Sequence, residues 1–201
     1  MKQYKLSGLA LFDFDGTLTT EDSYTKFILF CTPKPRRFIG GLLLSPAILL
    51  YKLGWLPACK MRILISAVAF YRRNIQQVQA LAQRYVTEVI PHILQPQTMS
   101  RMKWHQKQGH HVYVVSASID PYLSIWCRTM GIQLICSELE KTAKHYTGRY
   151  LYGDCGADKV AAITQQIELT RFDTIYAYGD TKEDWPMLAL ADVGYYQGEK
   201  Q

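Results

Sequence analysis

Three short apolar runs of this chain end in acidic or hydroxyl-bearing residues, and these endings constrain the fold more than any other feature. The three strings lie at residues 9–17, 112–116 and 175–184. Runs of about four apolar residues are typical of buried strands. In an open parallel sheet the ligand crevice lies beyond the carboxyl ends of the strands, so residues far apart in sequence are expected to converge there.

The strings would bring together four carboxylates and one hydroxyl, from Asp13, Asp15, Ser116, Asp180 and Asp184. Carboxylates in one crevice repel one another unless a cation is present. Carboxylate oxygens are suitable ligands for a hard divalent cation. The strings therefore indicate a site for a divalent metal and a phosphate.

The order of predicted elements indicates an α/β fold with a doubly wound parallel sheet. The first strand is predicted at 9–13, and no strand pattern follows until about residue 112. From there, strands at 112–116, 133–136, 174–178 and 193–195 alternate with helices near 121–130, 158–167 and 186–191. Such alternation predicts helices on both faces of a parallel sheet. Residues 137–156 are predicted to form a small hairpin or an irregular excursion.

The long interval after the first strand predicts an inserted helical module. One apolar stripe at helical spacing consists of Ile75, Val78, Ala82, Tyr85 and Val89. Such spacing by three and four is typical of an amphipathic helix. We therefore expect a core domain from residues 1–17 and 88–201, with a helical insertion at 18–87.

Residues 38–51 are uncharged and are flanked by Arg36, Arg37 and Lys52. A membrane-spanning helix needs about 20 apolar residues, so the run is short for that role. The favoured interpretation is a buried helix or helical hairpin within the insertion. The alternative is an apolar, base-rimmed surface that rests on a membrane or accepts a lipid tail.

Composition limits the classes of partner. The formal net charge of +6 suits anionic substrates such as phosphate esters, acidic lipids or nucleic acid. No basic stripe interleaved with aromatics and no zinc-finger spacing supports nucleic acid, so none is expected. The five cysteines form no C-x-x-C pair, which fits a reducing compartment. The amino terminus runs almost at once into the first predicted strand, and a cytoplasmic location is expected.

Asp13 and Asp15 suit two different chemical tasks. Strand alternation directs their side chains the same way and directs Phe14 oppositely. One carboxylate can attack phosphorus while ligating a cation, and the other can deliver a proton to the leaving oxygen. The alternative interpretation is a pair of ordinary turn or cap residues.

Five further residues complete the predicted site. The Ser116 hydroxyl and the Ala117 amide are candidate donors to a phosphoryl oxygen, although Ser116 or Ser118 would also suit a helix cap. Lys159 begins an amphipathic stripe and either faces solvent or points into the crevice to neutralise charge. Asp180 and Asp184 lie four residues apart across a turn, a spacing that suits a metal site.

The order of these motifs resembles the haloacid dehalogenase-like hydrolase superfamily. The motifs are Asp-x-Asp-Gly-Thr, a strand-terminal serine, the Gly-x-x-Lys of residues 156–159, and Gly-Asp-x-x-x-Asp. They run from Asp13 to Asp184 and so cover nearly the whole chain. The insertion resembles the helical cap of the phosphoserine-phosphatase-like branch.

The resemblance implies a phosphatase with an aspartyl-phosphate intermediate. Asp13 would be the nucleophile, and Asp15 would act first as general acid and then as general base. Magnesium would be held by the Asp13 carboxylate, the Asp15 backbone carbonyl and Asp180, with Asp184 in support. Ser116 and Lys159 would hold the phosphoryl group. Dehalogenases of the superfamily lack the second aspartate, so Asp15 favours phosphate chemistry.

The substrate is predicted only as a class. Phosphoserine phosphatases carry a serine where this chain has Gly16, and a Gly-Gly pair where it has residues 117–118. Their specificity residues in the cap would fall near Asp22 or Glu21 and near Arg62. A small phosphorylated metabolite is expected.

Two alternatives remain open. A membrane lipid phosphate of the phosphatidylglycerophosphate type is the first, because residues 38–51 resemble a lipid phosphatase of the same branch. The protein would then be peripheral on the inner face of the membrane. A distant alternative is a phospho-receiver signalling module, which also combines acids, a hydroxyl and a lysine on a parallel sheet.

Overall fold

A six-stranded sheet organises the computed structural model, which describes residues 6–201. Its strand order is β3-β2-β1-β6-β7-β8, with a separate hairpin formed by β4 and β5. The strands are β1 (Leu9–Phe12), β2 (His111–Ile119), β3 (Gln133–Ser137), β4 (Leu139–Lys141), β5 (Tyr146–Tyr150), β6 (Ile175–Gly179), β7 (Val193–Tyr196) and β8 (Glu199–Lys200). All pairs in the large sheet are parallel except β7 with β8.

Helices fill most of the chain between β1 and β2. They are α1 (Ser23–Cys31), α2 (Lys34–Lys52), α3 (Ala58–Phe70), α4 (Ile75–Glu88), α5 (Ile90–Ile93) and α6 (Pro96–Lys107). After β2 follow α7 (Asp120–Met130), α8 (Lys159–Thr164) and α9 (Trp185–Leu188). The predicted α/β class and the predicted hairpin within 137–156 are confirmed. The division into a core domain and an inserted domain stays a prediction.

The central strand β1 explains why the first apolar run has no polar face. Leu9 and Leu11 belong to one buried cluster, while Ala10 and Phe12 belong to another on the opposite side. The cluster of Leu9 and Leu11 also contains residues of α8 and α9. The cluster of Ala10 and Phe12 contains residues of α4 and α7. Because helices cover both faces of the sheet, strands of this kind are apolar throughout. The carboxyl end of β1 therefore lies between two packed layers.

Strand β2 is longer than the sequence predicts. It continues to Ile119, so the prediction that Ser116 ends the strand is wrong. The register with β3 shifts between Ser116 and Ile119, and Ile119 then pairs with Ser137. This late pairing extends the strand and places residues 116–118 along an irregular segment rather than in a helix cap.

Helix α2 is a single helix that packs against α3 through one side only. Gly40 is its one fully buried residue, and a side-chain carbon at that position would lie 2.4 Å from Val68 of α3. The glycine therefore permits the two helices to approach closely. Phe38, Leu42 and Leu43 are exposed, so the favoured prediction of a buried helix or hairpin is wrong. The outward face of α2 is apolar instead.

The exposed apolar helix does not reach the dimensions of a membrane span. Across residues 6–201, every helix is too short or too polar to cross a bilayer. A helix of this kind can still lie along a surface, since burial of one apolar face needs no minimum span.

Candidate active site

The predicted site residues converge at the carboxyl end of the central strands. Asp13 and Asp15 follow β1, Asp180 follows β6, and Lys159 begins α8. A cavity of about 230 Å³ opens there, with walls from the sheet and from the helices between β1 and β2. Its lining includes the predicted residues Asp13, Asp15, Asp22, Arg62, Ser116, Ala117 and Lys159.

A buried lysine joins two carboxylates on the floor of the site. Lys159 Nζ donates to Asp13 Oδ1 at 2.5 Å and to Asp184 Oδ1 at 2.6 Å. All three side chains are almost fully buried. Lys159 therefore points into the crevice rather than to solvent, and its positive charge is shared between two acids.

Burial sets the protonation tendencies of this ion-pair cluster. Desolvation raises the pKa of Asp13 to about 8, and the neighbouring Asp184 carboxylate adds to the rise while Lys159 opposes it. Burial alone would lower the pKa of Lys159, but the two carboxylates outweigh it and hold that pKa above its ordinary value. When Asp13 is ionised the cluster holds two carboxylates against one ammonium, so a cation bound there would favour the ionised form of Asp13.

Three carboxylates are arranged as a candidate metal site. Asp13, Asp180 and Asp184 each offer an oxygen, and these oxygens lie within 4.8 Å of one another. Burial, followed by the charge of Asp184, raises the pKa of Asp180. Mutual repulsion of this kind is relieved by a divalent cation with oxygen ligands, so the residues fit magnesium. The contribution of the Asp15 backbone carbonyl stays a prediction.

Gly16 brings Asp180 close to the loop that follows β1. Its φ of +82° is a backbone conformation that favours glycine, and a side-chain carbon there would lie 2.1 Å from Asp180 Oδ2. Thr17 donates to Asp180 Oδ1 at 3.2 Å. Gly16 and Thr17, which follow Asp13 and Asp15, therefore hold the Asp180 carboxylate in place.

Asp184 also orders the turn that carries Asp180. Its Oδ2 accepts hydrogen bonds from the Asp180 amide and from the amide and hydroxyl of Thr181. The Thr181 and Asp184 contacts together form a capping box. The four-residue spacing of the two acids is therefore fixed by the hydrogen bonds of this turn, and it places both acids in the candidate metal site.

Asp15 lies apart from the three metal-site carboxylates. Ser118 Oγ donates to Asp15 Oδ2 and the Ser23 amide donates to Oδ1. Desolvation raises the pKa of Asp15 to about 6, while the donated hydrogen bonds lower it. A carboxyl with such a pKa exchanges its proton near neutral pH, which suits a group that gives and takes a proton.

Ser116 and Ala117 line the cavity beside this proton-exchanging carboxyl. Ser116 Oγ accepts a hydrogen bond from the Ser118 amide at 3.0 Å. The hydrogen of the Ser116 hydroxyl therefore points away from that amide and can be donated to another group. The Ala117 carbonyl accepts from Ser137, so the segment is anchored from behind. The predicted phosphoryl donors are therefore placed at the cavity wall.

The two predicted specificity residues both line the cavity, but each is already engaged. Asp22 is the N-cap of α1 and accepts from the Thr25 amide and hydroxyl. Arg62 of α3 makes a two-pronged ion pair with Asp154 at 2.8 and 2.9 Å and contacts Glu183 at 3.2 Å. Arg62 thereby links α3 to the sheet side of the cavity.

Sequence reasoning missed two groups that shape the site. The sequence predicts Ser118 as a candidate helix cap, yet its hydroxyl donates to the Asp15 carboxylate, because β2 extends past it. Tyr51, at the end of α2, lines the cavity although α2 is otherwise directed outward. Two serines separated by one residue at a strand end were the available signal for Ser118. No local signal marks Tyr51.

The hydrogen bond from Ser118 gives a test of the proton-exchange group. In Ser118→Ala, loss of a donor to the carboxylate should raise the pKa of Asp15 further, by about one pH unit for a charged hydrogen bond. If protonated Asp15 is the acid, the alkaline limb of kcat/KM for an alkyl phosphate should move to higher pH. Ser118→Thr retains the hydroxyl and should leave the limb in place. An unmoved limb in the alanine variant would count against Asp15 as the acid.

Comparisons with known proteins identify the family. A family model described as haloacid dehalogenase-like hydrolase matches residues 10–189. Protein CicA of Caulobacter vibrioides is 28% identical over 197 residues, which cover 94% of this chain and 85% of that protein.

Solved structures show the same fold. A protein of unknown function from Bordetella pertussis has a TM-score of 0.77 at 23% identity, covering 94% of this chain and 88% of the other. A substrate-bound phosphoserine phosphatase has a TM-score of 0.58 at 18% identity, covering 98% and 87%. The chain belongs to the haloacid dehalogenase-like hydrolase family and shares its fold with phosphoserine phosphatases, as the motif order predicted.

Proposed function

We propose that this hydrolase is a magnesium-dependent phosphomonoesterase that acts through a phosphorylated aspartate. The observation that carries the proposal is the convergence of Asp13, Asp180 and Asp184 around Lys159, beside a second, separately held carboxyl at Asp15. This set provides a nucleophile and an acid in the wall of one cavity, with Asp180 and Asp184 beside it to complete the candidate cation site. A small phosphorylated metabolite is the proposed substrate class.

In the first step an Asp13 carboxylate oxygen attacks phosphorus. The new bond joins that oxygen to phosphorus, and the bond between phosphorus and the ester oxygen breaks. The Asp15 carboxyl gives its proton to the departing oxygen, so the product leaves as an alcohol. Lys159, Ser116 and the Ala117 amide hold the phosphoryl oxygens during the transfer.

In the second step water attacks the phosphorus of the aspartyl phosphate. Asp15, now ionised, accepts a proton from this water. The bond between phosphorus and Asp13 breaks, which releases inorganic phosphate and restores the carboxylate. Asp15 ends the cycle protonated, so both carboxyls return to their starting states.

Magnesium would be held by the Asp13, Asp180 and Asp184 carboxylates and would neutralise phosphoryl charge. Thr17 and Gly16 position Asp180, while Thr181 positions Asp184. These residues set the spacing of the ligands before any cation binds.

A second candidate substrate class is a membrane lipid phosphate. Tyr51 of the exposed helix α2 forms part of the cavity wall, together with the apolar side chains of Met61 and Ile65 on α3. A substrate with an apolar portion would meet these side chains on its way to Asp13. The lipid candidate differs from the leading one only in the substrate.

Release of phosphate from p-nitrophenyl phosphate tests the proposed reaction. We expect turnover with magnesium, its loss in excess EDTA, and recovery when magnesium is restored, because the site carboxylates repel without a cation. Parallel assays with phosphorylated metabolites and phosphatidic acid distinguish the two substrate classes. Equal turnover with EDTA would exclude the metal. Stable aspartyl phosphate without turnover would indicate the receiver alternative.

A further inference from the structure

The outward face of α2 is apolar along most of its length. Phe38 is 78% exposed, Leu42 70%, Leu43 67% and Leu49 58%, and Trp55 just beyond the helix is 77% exposed. Phe38, Leu42 and Leu49 are separated by four and seven residues, so they lie along one side of the helix, and Leu43 is exposed next to that side. Proteins rarely expose such a continuous apolar surface without a partner. We call the exposed residues from 38 to 55 the α2 surface.

The charge of the surrounding segment is one-sided. Residues 23–87 contain ten of the 23 lysines and arginines and none of the 17 aspartates and glutamates. The basic excess is therefore concentrated in the chain segment that carries the α2 surface. Lys26, Arg62 and Arg84 of this segment pair with acids outside it, which leaves Lys34, Lys52 and Lys60 as the exposed cations at or near the ends of α2.

This combination selects one occupant. A second copy of the chain would bring two basic surfaces together, and the like charges would repel. An apolar helical face rimmed by lysines matches the boundary between the acyl chains and the headgroups of an anionic bilayer. We propose that the α2 surface docks in the headgroup layer of an anionic membrane, with α2 lying parallel to the bilayer.

Docking in this way would orient the active-site cavity. Tyr51 belongs to α2 and also lines the cavity, and Ala58 at the start of α3 lines it as well. The cavity wall and the α2 surface are therefore continuous. If the proposed function holds, this placement gives the cavity access to phosphate groups at the membrane surface. The docking itself rests only on the exposed apolar and basic side chains.

Flotation with vesicles tests the docking directly. The full-length protein should float with vesicles that contain phosphatidylglycerol and stay behind with pure phosphatidylcholine. Raising the salt from about 0.05 M to about 0.5 M should weaken binding, because screening shortens the reach of the lysines. Failure to bind phosphatidylglycerol vesicles at low salt would overturn the proposal.

Two variants separate the apolar and the charged contributions. Leu42→Ser with Leu43→Ser should reduce vesicle binding by about tenfold or more, because two apolar side chains no longer enter the bilayer. Lys34→Gln with Lys52→Gln should reduce binding mainly at low salt. Leu151→Ser changes an exposed leucine distant in sequence from α2 and serves as the matched control. Binding unchanged by the double serine variant would contradict the proposal.

Two further measurements distinguish other outcomes. All variants should hydrolyse p-nitrophenyl phosphate in solution like wild type, which shows that they fold; failure of wild type in that assay concerns the proposed function and leaves the docking result intact. Gel filtration reports self-association. A dimer that the double serine variant dissociates, without vesicle binding, would assign the α2 surface to a second copy and overturn the proposal.

Discussion

Asp13→Asn is expected to lower phosphomonoesterase turnover by about 10³-fold or more, the order of loss seen when an enzyme loses its nucleophile. The amide keeps the shape of the side chain but cannot attack phosphorus. Lys159 retains its 2.6 Å contact with Asp184, so the floor of the site keeps a charge partner. The measurement is steady-state turnover of p-nitrophenyl phosphate with magnesium. The exposed Asp173→Asn is the matched control and should turn over like wild type.

Thermal melting separates loss of chemistry from loss of folding in the same variant. Burial raises the pKa of Asp13 to about 8, so the folded protein binds a proton there more tightly than the unfolded chain. The ionised carboxylate therefore costs wild type stability progressively as pH rises from about 4 towards 8. In EDTA, Asp13→Asn should melt no lower than wild type at pH 8. A full rate of turnover in this folded variant would disprove the nucleophile assignment.

Much of the site was predictable because the carboxyl ends of parallel strands lie at the same edge of the sheet. Polar residues after short apolar runs located Asp13 and Asp180 without knowledge of any contact. The spacing of Asp180 and Asp184 likewise predicted that both acids belong to one turn. Local sequence does not reveal which residues far apart in the chain pair with each other. Arg62 meets Asp154, 92 residues away, and that contact depends on how α3 lies over the sheet.

Ser118 and α2 show two different limits of sequence reasoning. The role of Ser118 depends on where β2 ends, and that end is set by its late pairing with β3. In α2, the uncharged apolar run predicts burial, whereas several of its apolar side chains are exposed. A helix has the same apolar pattern whether its apolar face packs against protein or against a membrane. Periodicity therefore does not identify what that face contacts. The close approach at Gly40 and the hydrogen bonds from Arg36 to the Ala69 and Tyr71 carbonyls show which side of α2 turns inward.

Lys159→Met is expected to weaken both folding and catalysis. Methionine keeps an unbranched apolar chain but removes the charge shared by Asp13 and Asp184. Breaking a buried ion pair costs about 3–5 kcal/mol when a charge is left unpartnered. The variant should therefore melt at a lower temperature than wild type in EDTA. Turnover should fall by about 10²–10³-fold, the loss typical for one removed transition-state donor.

Magnesium should stabilise Lys159→Met more than it stabilises wild type. Without the ammonium group, the Asp13 and Asp184 carboxylates have lost their nearest positive charge, so a bound divalent cation relieves more repulsion. The measurement is the rise in melting temperature on addition of magnesium to each protein. General damage to the fold would not produce this selective gain, because it would affect both conditions alike.

Lys182→Met is the matched control, since Lys182 lies in the neighbouring turn but is exposed. It should melt, bind magnesium and turn over substrate like wild type. The contrary outcome is that Lys159→Met melts at the same temperature as wild type in EDTA and that magnesium raises the two melting temperatures equally. That result would show that Lys159 does not neutralise the two carboxylates. The expected contrast follows from burial. Water and salt already screen the charge of an exposed lysine. Lys159, Asp13 and Asp184 are shielded from solvent, so their charges are compensated only by one another until a cation binds.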